Sequence, residues 1–232
     1  MYILGIETAT KTGGVAIVSE AGVLAEYTLN IEVTHSERLM STVDRVLADT
    51  GLAMSNIEGF GVSIGPGSFT GLRIGLSTVK GLAFTTGKPV AAVPTLKALA
   101  WNLPYALYPV CPLLDAKKKE VYAALYRYEG GDLIQKLPEA VAPLTELADR
   151  ISEDVVFTGE GARLFTAEIR KFFGSRAHFA PLAAAVPSAA SVAEIALGML
   201  IDGRGTGPDS LSPLYIRRPE AELAWEKRQR SS

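Results

Sequence analysis

Cysteine is almost missing from this chain: Cys111 stands alone among 232 residues. One thiol cannot build an internal disulfide framework, and it fits a reducing compartment such as the cytoplasm. Cys111 lies in an apolar run with no histidine beside it, which reads as core rather than nucleophile. Histidine is nearly as scarce. His35 and His178 are the only two, and two neutral imidazoles cannot close a zinc site by themselves. A surplus of one charge is also missing, since 23 Lys and Arg face 25 Asp and Glu, a formal net charge of −2. Such a chain has no bulk electrostatic drive toward nucleic acid. Its basic clusters, Lys117-Lys118-Lys119 and Arg217, Arg218, Lys227, Arg228 and Arg230, read as a solvated loop and tail. No apolar run reaches the roughly 18 residues of a membrane span. No basic segment leads an apolar stretch as in a secretory signal.

What the chain does have is apolar content, 48% of its residues, enough to pack one large domain or two small ones. The first half reads as three strands, Tyr2 to Thr8, Val15 to Val18 and Val23 to Leu29, separated by turns at Lys11–Gly14 and Ala21-Gly22. Thr34 with Glu37 forms a capping box, and Leu39, Val43, Val46 and Leu47 follow at helical spacing until Gly51. A strand over Ile57 to Ile64, a helix from Phe69 to about Thr86 and a strand over Val90 to Val93 complete the half.

The second half repeats the order. Strands are expected at Val110 to Leu114, Val121 to Tyr128 and Leu133 to Lys136, then a short helix near Thr145 to Arg150. A strand at Val155 to Thr158 and a helix from Ala162 to Phe172 follow, with a late helix at Ala189 to Leu200. Glu7 and Asp115 fall at matching strand ends. Gly65-Pro66-Gly67 matches Gly159-Glu160-Gly161. The break between the halves is expected at Trp101 to Pro109, giving units 1–105 and 106–232, with the last segment folding back on the first.

The segment Ser63 to Gly75 is the most specific string in the chain. Two glycines let the backbone turn, Pro66 stiffens it, and Ser68 can cap the next helix. No Gly-Lys-Ser/Thr follows, so this is not a P-loop, and the spacing is not that of the dinucleotide fingerprint. Gly71 and Gly75 share a helical face that Thr78 and Leu82 extend. Each helical glycine costs about 1 kcal/mol against alanine, so a close contact should compensate. Its partner is either the helix starting near Thr34 or another subunit.

That string, with Ile3 to Thr10, Thr34 to Leu39, Asp115 to Tyr122 and Leu214 to Arg218, resembles the TsaB family over nearly the whole chain. The family supplies the non-catalytic subunit of the bacterial machinery that makes threonylcarbamoyladenosine in tRNA. The resemblance implies an α/β fold of two actin-like (ribonuclease H-like, ASKHA) subdomains, each a βββαβα unit. It implies a scaffold for threonylcarbamoyl transfer to adenosine 37 of tRNAs reading codons that start with A. The catalytic partner would be TsaD, with the ATPase TsaE. A homodimer is expected in isolation, with tRNA contacted only through the complex. The implied partner interface takes in Gly71, Gly75, Thr78, Leu82, His35, Leu39 and Val43.

Glu7 stands where the family more often has Asp. Nucleotide-hydrolysing members of the superfamily follow each strand-end acid with Gly and Thr, which lets phosphate approach the backbone. Here the two hairpins read Glu7-Thr8-Ala9-Thr10 and Asp115-Ala116-Lys117-Lys118. A side chain then stands where phosphate should come close. Glu7, Thr8, Gly65, Gly67, Asp115, Gly159 and Gly161 are therefore either vestigial nucleotide positions or turn residues bonding their own amides. No cofactor is expected beyond weak ATP or ADP binding. TsaD places two histidines four residues apart after the strand that follows its glycine helix, and Val93 to Leu99 holds no metal ligand here. The alternatives are a small ATP-dependent kinase of the same fold and a metallo-glycoprotease. The missing hairpin glycines argue against the first and the missing histidine pair against the second.

Overall fold

The computed structural model of the chain describes residues 1–30 and 35–217, with side chains in the second span from 38 onward. Thr34, the side chains of His35 and Glu37, and Arg218 with the basic tail lie outside the described residues.

Apolar runs, buried on both faces in the first two strands, and turn chemistry build the first sheet. β1 (Tyr2–Glu7), β2 (Thr12–Ser19) and β3 (Gly22–Asn30) form an antiparallel meander. α1 (His35–Thr50) crosses over to β4 (Gly59–Gly65), which runs parallel to β1. α2 (Phe69–Thr86) leads to β5 (Val90–Pro94), parallel to β4. The sheet order is β3-β2-β1-β4-β5. The Ser68 hydroxyl accepts the Gly71 N–H to start α2, and Gly87 ends it in the left-handed region at φ 68°.

α3 (Thr95–Trp101) carries the chain to a second sheet of β6 (Val110–Asp115), β7 (Val121–Glu129), β8 (Asp132–Ala142), β9 (Val155–Thr158) and β10 (Ala177–Phe179). Its order, β10-β9-β6-β7-β8, is the first sheet's order repeated. β6 is antiparallel to β7 and parallel to β9, as β1 is to β2 and β4. α4 (Leu144–Arg150) takes the place of α1. The expected helix over Ala162 to Phe172 is instead two pieces, α5 (Glu160–Leu164) and α6 (Thr166–Phe173), broken at Phe165. There the Thr166 hydroxyl bonds back to the carbonyls of Ala162 and Arg163, a bond that bends helices.

The helices that follow the fifth strands are exchanged between the sheets. α3 puts Leu96, Leu99 and Ala100 into a core with Val110, Leu114 and Ala124 of the second sheet. α7 (Ala189–Ile201) lies on the first sheet, where Ala189, Val192, Ala193 and Ala196 meet Ile3, Ala16 and Val93. The approach is close: a Cβ at Gly5 would fall 2.5 Å from the Ala189 carbonyl, and one at Gly61 would fall 2.6 Å from the Ala196 methyl. The opposite face of that sheet packs Leu4, Ile6, Val15 and Ile17 against Val43, Val46, Leu76 and Val79 of α1 and α2. No described helix is long and apolar enough to cross a membrane.

Candidate functional site: the cleft at the strand ends

β1 and β4 end side by side, so Glu7, Thr8 and the glycine turn converge at one edge of the first sheet. Glu7 is fully buried. Its Oε1 accepts the Ala9 N–H at 2.5 Å, while Oε2 has no partner among the described residues. Burial pushes this carboxyl up to about 7, with the Ala9 amide and the Ser63 hydroxyl pulling the other way. Thr8 is buried too, and its hydroxyl donates to the Gly71 carbonyl at 2.8 Å. The Ala9 carbonyl accepts the Ser68 N–H at 2.6 Å. An amide of the turn that could have met a phosphate is thus spent on the chain's own backbone.

The glycines of α2 face this hairpin, which corrects the expected interface. A Cβ at Gly67 would fall 2.2 Å from the Ala9 carbonyl oxygen, one at Gly71 2.0 Å from the Thr8 carbonyl oxygen, and one at Gly75 2.3 Å from the Thr8 hydroxyl. The bare stripe is therefore filled by the end of β1, not by α1 and not by a second chain. Leu39 and Val43 are likewise buried in the core of the first half. Thr78 and Leu82 are half-buried, and Leu82 packs on that same core. Spacing on the helix puts Gly71 and Gly75 on one face. What that face meets is set by where β1 stops.

Asp115 ends β6 as Glu7 ends β1, but it is only partly buried, its side chain 15% exposed. Burial raises its carboxyl, and the hydrogen bonds and charge of Lys117 more than offset that, so its pKa is lowered. Lys117 reaches it with both the backbone N–H at 2.8 Å and Nζ at 2.7 Å. Lys117, Lys118 and Lys119 all have φ between 55° and 64°. Three consecutive left-handed lysines are strained, and the turn is held by the Ala116 N–H donating to the Glu120 carbonyl and the Glu120 N–H donating to the Lys117 carbonyl. Gly159 (φ 92°) and Gly161 lie against Leu113 of β6, as Gly67 lies against Ala9 in the first half.

A strap from the end of the chain spans the cleft between these two turns. The Leu214 N–H donates to the Ile64 carbonyl at 2.7 Å, at the C-terminal end of β4. Tyr215 stacks on Phe69 at 5.2 Å, and its hydroxyl accepts Arg73 Nε at 3.2 Å. The Arg73 guanidinium lies 3.9 Å over the Phe69 ring. Arg217 donates to the Ala116 carbonyl at 2.7 Å and pairs with Glu120. The strap leaves a cavity of about 170 Å³ between Gly67, Phe69, Ala116 and Tyr122. Ligand pockets usually run from about 300 to 1,000 Å³. Phe69, Tyr215 and the reach of Arg217 across the cleft have no periodic signature in the sequence; the only signal is the string Leu214 to Arg218.

Elsewhere, Cys111 is buried and its thiol is pushed up to about 12 by that burial. His178 Nε2 is hydrogen-bonded to Asp154 Oδ1 at 2.8 Å, and its ring stacks on Tyr108. Among the described residues no group of three or more His, Cys, Asp and Glu is placed to hold a metal ion.

A family model described as TsaD, tRNA N6-adenosine threonylcarbamoyltransferase, matches residues 22–225. The tRNA threonylcarbamoyladenosine biosynthesis protein TsaB of Bacillus subtilis is 31% identical over 99% of this chain and 100% of its own. Its namesake in Escherichia coli is 30% identical over 98% of each chain. Among solved structures, YeaZ from Pseudomonas aeruginosa is 27% identical, covers 92% of this chain and 100% of that one, and superposes with a TM-score of 0.79. The duplicated sheets are thus the two subdomains of the actin-like fold, and the chain belongs to the TsaB family.

Proposed function

We propose that this chain is a non-catalytic subunit in the synthesis of threonylcarbamoyladenosine in tRNA. It pairs with a TsaD-like catalytic subunit, works alongside a TsaE-like ATPase and meets tRNA only within that complex. The end-to-end likeness to the two TsaB proteins supports the pathway. One observation carries the non-catalytic reading. The strand-end cleft, where this fold binds nucleotide, is narrowed to about 170 Å³ beneath the strap Leu214 to Arg217, and the Ser68 amide of its glycine turn is spent on the Ala9 carbonyl. The free chain binds ATP weakly and self-associates through the same face that meets the partner.

That face is the outer side of α1 and α2, where Met40 and Phe84 are exposed at 45% and 81%. Large apolar side chains exposed on two helices that pack on the same sheet face are candidates for such contact. The test is the mass of a mixture of this chain with its TsaD-like partner, measured by light scattering. A complex is expected with the wild type and not with Met40→Asp/Phe84→Asp, whose circular dichroism should be normal. No complex with the wild type contradicts the subunit reading. An undiminished complex with the double variant contradicts only the choice of face.

A further inference from the structure

A second cavity, of about 250 Å³, lies between the halves and shares no residue with the strand-end cleft. α3, β5 and α7 close it from one side, β7 and β8 from the other. We propose that it binds a small zwitterion, an α-amino acid with an apolar side chain.

Three observations point to that chemistry. Lys97 of α3 is half-buried, yet its ammonium has no hydrogen bond or ion pair among the described residues. Burial and the charge of Arg204, itself held to Asp202 at 2.8 Å, lower the Lys97 pKa, while Asp132 and Glu139 pull it the other way without reaching ion-pair distance. A ligand carboxylate placed between them would satisfy an ammonium that the fold leaves unpaired.

The second observation is an opposite charge in the same cavity. Glu139 of β8 uses Oε1 to accept the Tyr126 hydroxyl at 2.9 Å, and its other oxygen has no partner among the described residues. It can accept an ammonium. A simple anion would be repelled by Glu139 and the nearby Asp132, and a simple cation by Lys97 and Arg204. Only a ligand carrying both charges uses both ends.

The third is the surface between those ends. Leu133, Ile195 and Met199 line it, so the ligand's side chain meets hydrocarbon. Apolar walls with a few convergent polar groups are the usual make-up of a small-molecule site. Because the walls come from both halves, an occupant would also brace one half against the other.

The test uses the full chain labelled at its methionine methyls. Of its four methionines, Met199 lines the cavity, while Met1, Met40 and Met54 do not and report the fold. L-leucine is titrated beside its two halves, 4-methylpentanoate without the amine and 3-methylbutylamine without the carboxylate. Leucine should shift the Met199 resonance and saturate, with each half binding at least about tenfold more weakly. Lys97→Leu should weaken leucine by about tenfold or more, as expected for losing a hydrogen bond to a charged group. Glu139→Gln should weaken leucine while strengthening 4-methylpentanoate, which no longer meets a like charge. No Met199 shift at any soluble leucine concentration would overturn the proposal. So would equal binding of leucine and 4-methylpentanoate, or unchanged leucine binding by Lys97→Leu with the other methyls in place.

Discussion

The two halves share a strand order and end their first strands on an acid, yet they treat that acid in opposite ways. Glu7 is sealed inside, its second oxygen unpartnered and its carboxyl raised to about 7. Asp115 stands at the rim, held by Lys117, with its carboxyl lowered. The difference follows from the turn beyond each strand. In the first half the chain runs on through Thr8 and Ala9 into the bare face of α2, and that packing buries the acid. In the second half the three-lysine turn swings out, and the glycines of α5 reach only to Leu113, two residues short of the strand end. A duplicated fold thus keeps its topology while each half puts the same position to a different use. In neither half is the acid left free at an open phosphate site.

The contrast can be broken first at the glycines. A methyl at Gly71 would sit 2.0 Å from a backbone carbonyl, against 2.9 Å for one at Gly161. Gly71→Ala should therefore cost more than about 3 kcal/mol, and Gly161→Ala about 1–3 kcal/mol, measured from urea midpoints. Equal costs would mean that the first half is no more tightly closed than the second. The same geometry means that Gly75→Leu should lower stability rather than merely detach a partner.

Next in size is the pH dependence of stability. A carboxyl at 4.5 in the unfolded chain and about 7 in the folded one corresponds to about 3 kcal/mol between its protonation states. Between these values folding takes up a proton, so this contribution to stability declines as pH rises from 4.5 to 7 and stays low above. Glu7→Gln should flatten that decline and raise the urea midpoint at pH 8. Asp115 has the reverse sign. Its lowered pKa contributes stability above about pH 4 that is lost on acidification, and the effect is small because Lys117 is 81% exposed. Asp115→Asn should cost under about 1 kcal/mol at pH 7.

The smallest expected effect calibrates the rest. Gly81, on the exposed side of α2, has nothing within 4 Å of a built Cβ. Gly81→Ala should stabilise by about 0.5–1 kcal/mol through helix propensity alone. A loss of stability there would show that the outer face of α2 is more crowded than the geometry of Gly81 implies.

Much of this was legible in the sequence because local signals were strong. Ser68 and Gly87 bracket α2, and apolar runs bounded by turn residues marked all six strands of the two meanders. α3 was not read, since its seven residues start after Pro94 without a side-chain cap. β10 is three residues long and pairs only with β9. The fate of Gly71 and Gly75 was not legible, because helical spacing groups residues on a face without naming the opposing surface. Thr8 meets them only because β1 ends where it does. The strap was visible as a string but not as a bridge, because Arg217 and Ala116 are 101 positions apart. Lys97 gave one faint signal, a lone cation in the run Thr95 to Leu99.

We propose that the chain acts by contact and not by chemistry at its strand-end acids. The most direct test is reconstituted threonylcarbamoyl transfer to tRNA by the TsaD-like subunit and the TsaE-like ATPase. It is run with no added chain, with wild type, and with Glu7→Gln/Asp115→Asn. We expect transfer to depend on the chain and the double variant to support it at a rate close to wild type. Loss of transfer by a double variant that still folds and still forms the complex would contradict the claim and place chemistry at the strand ends.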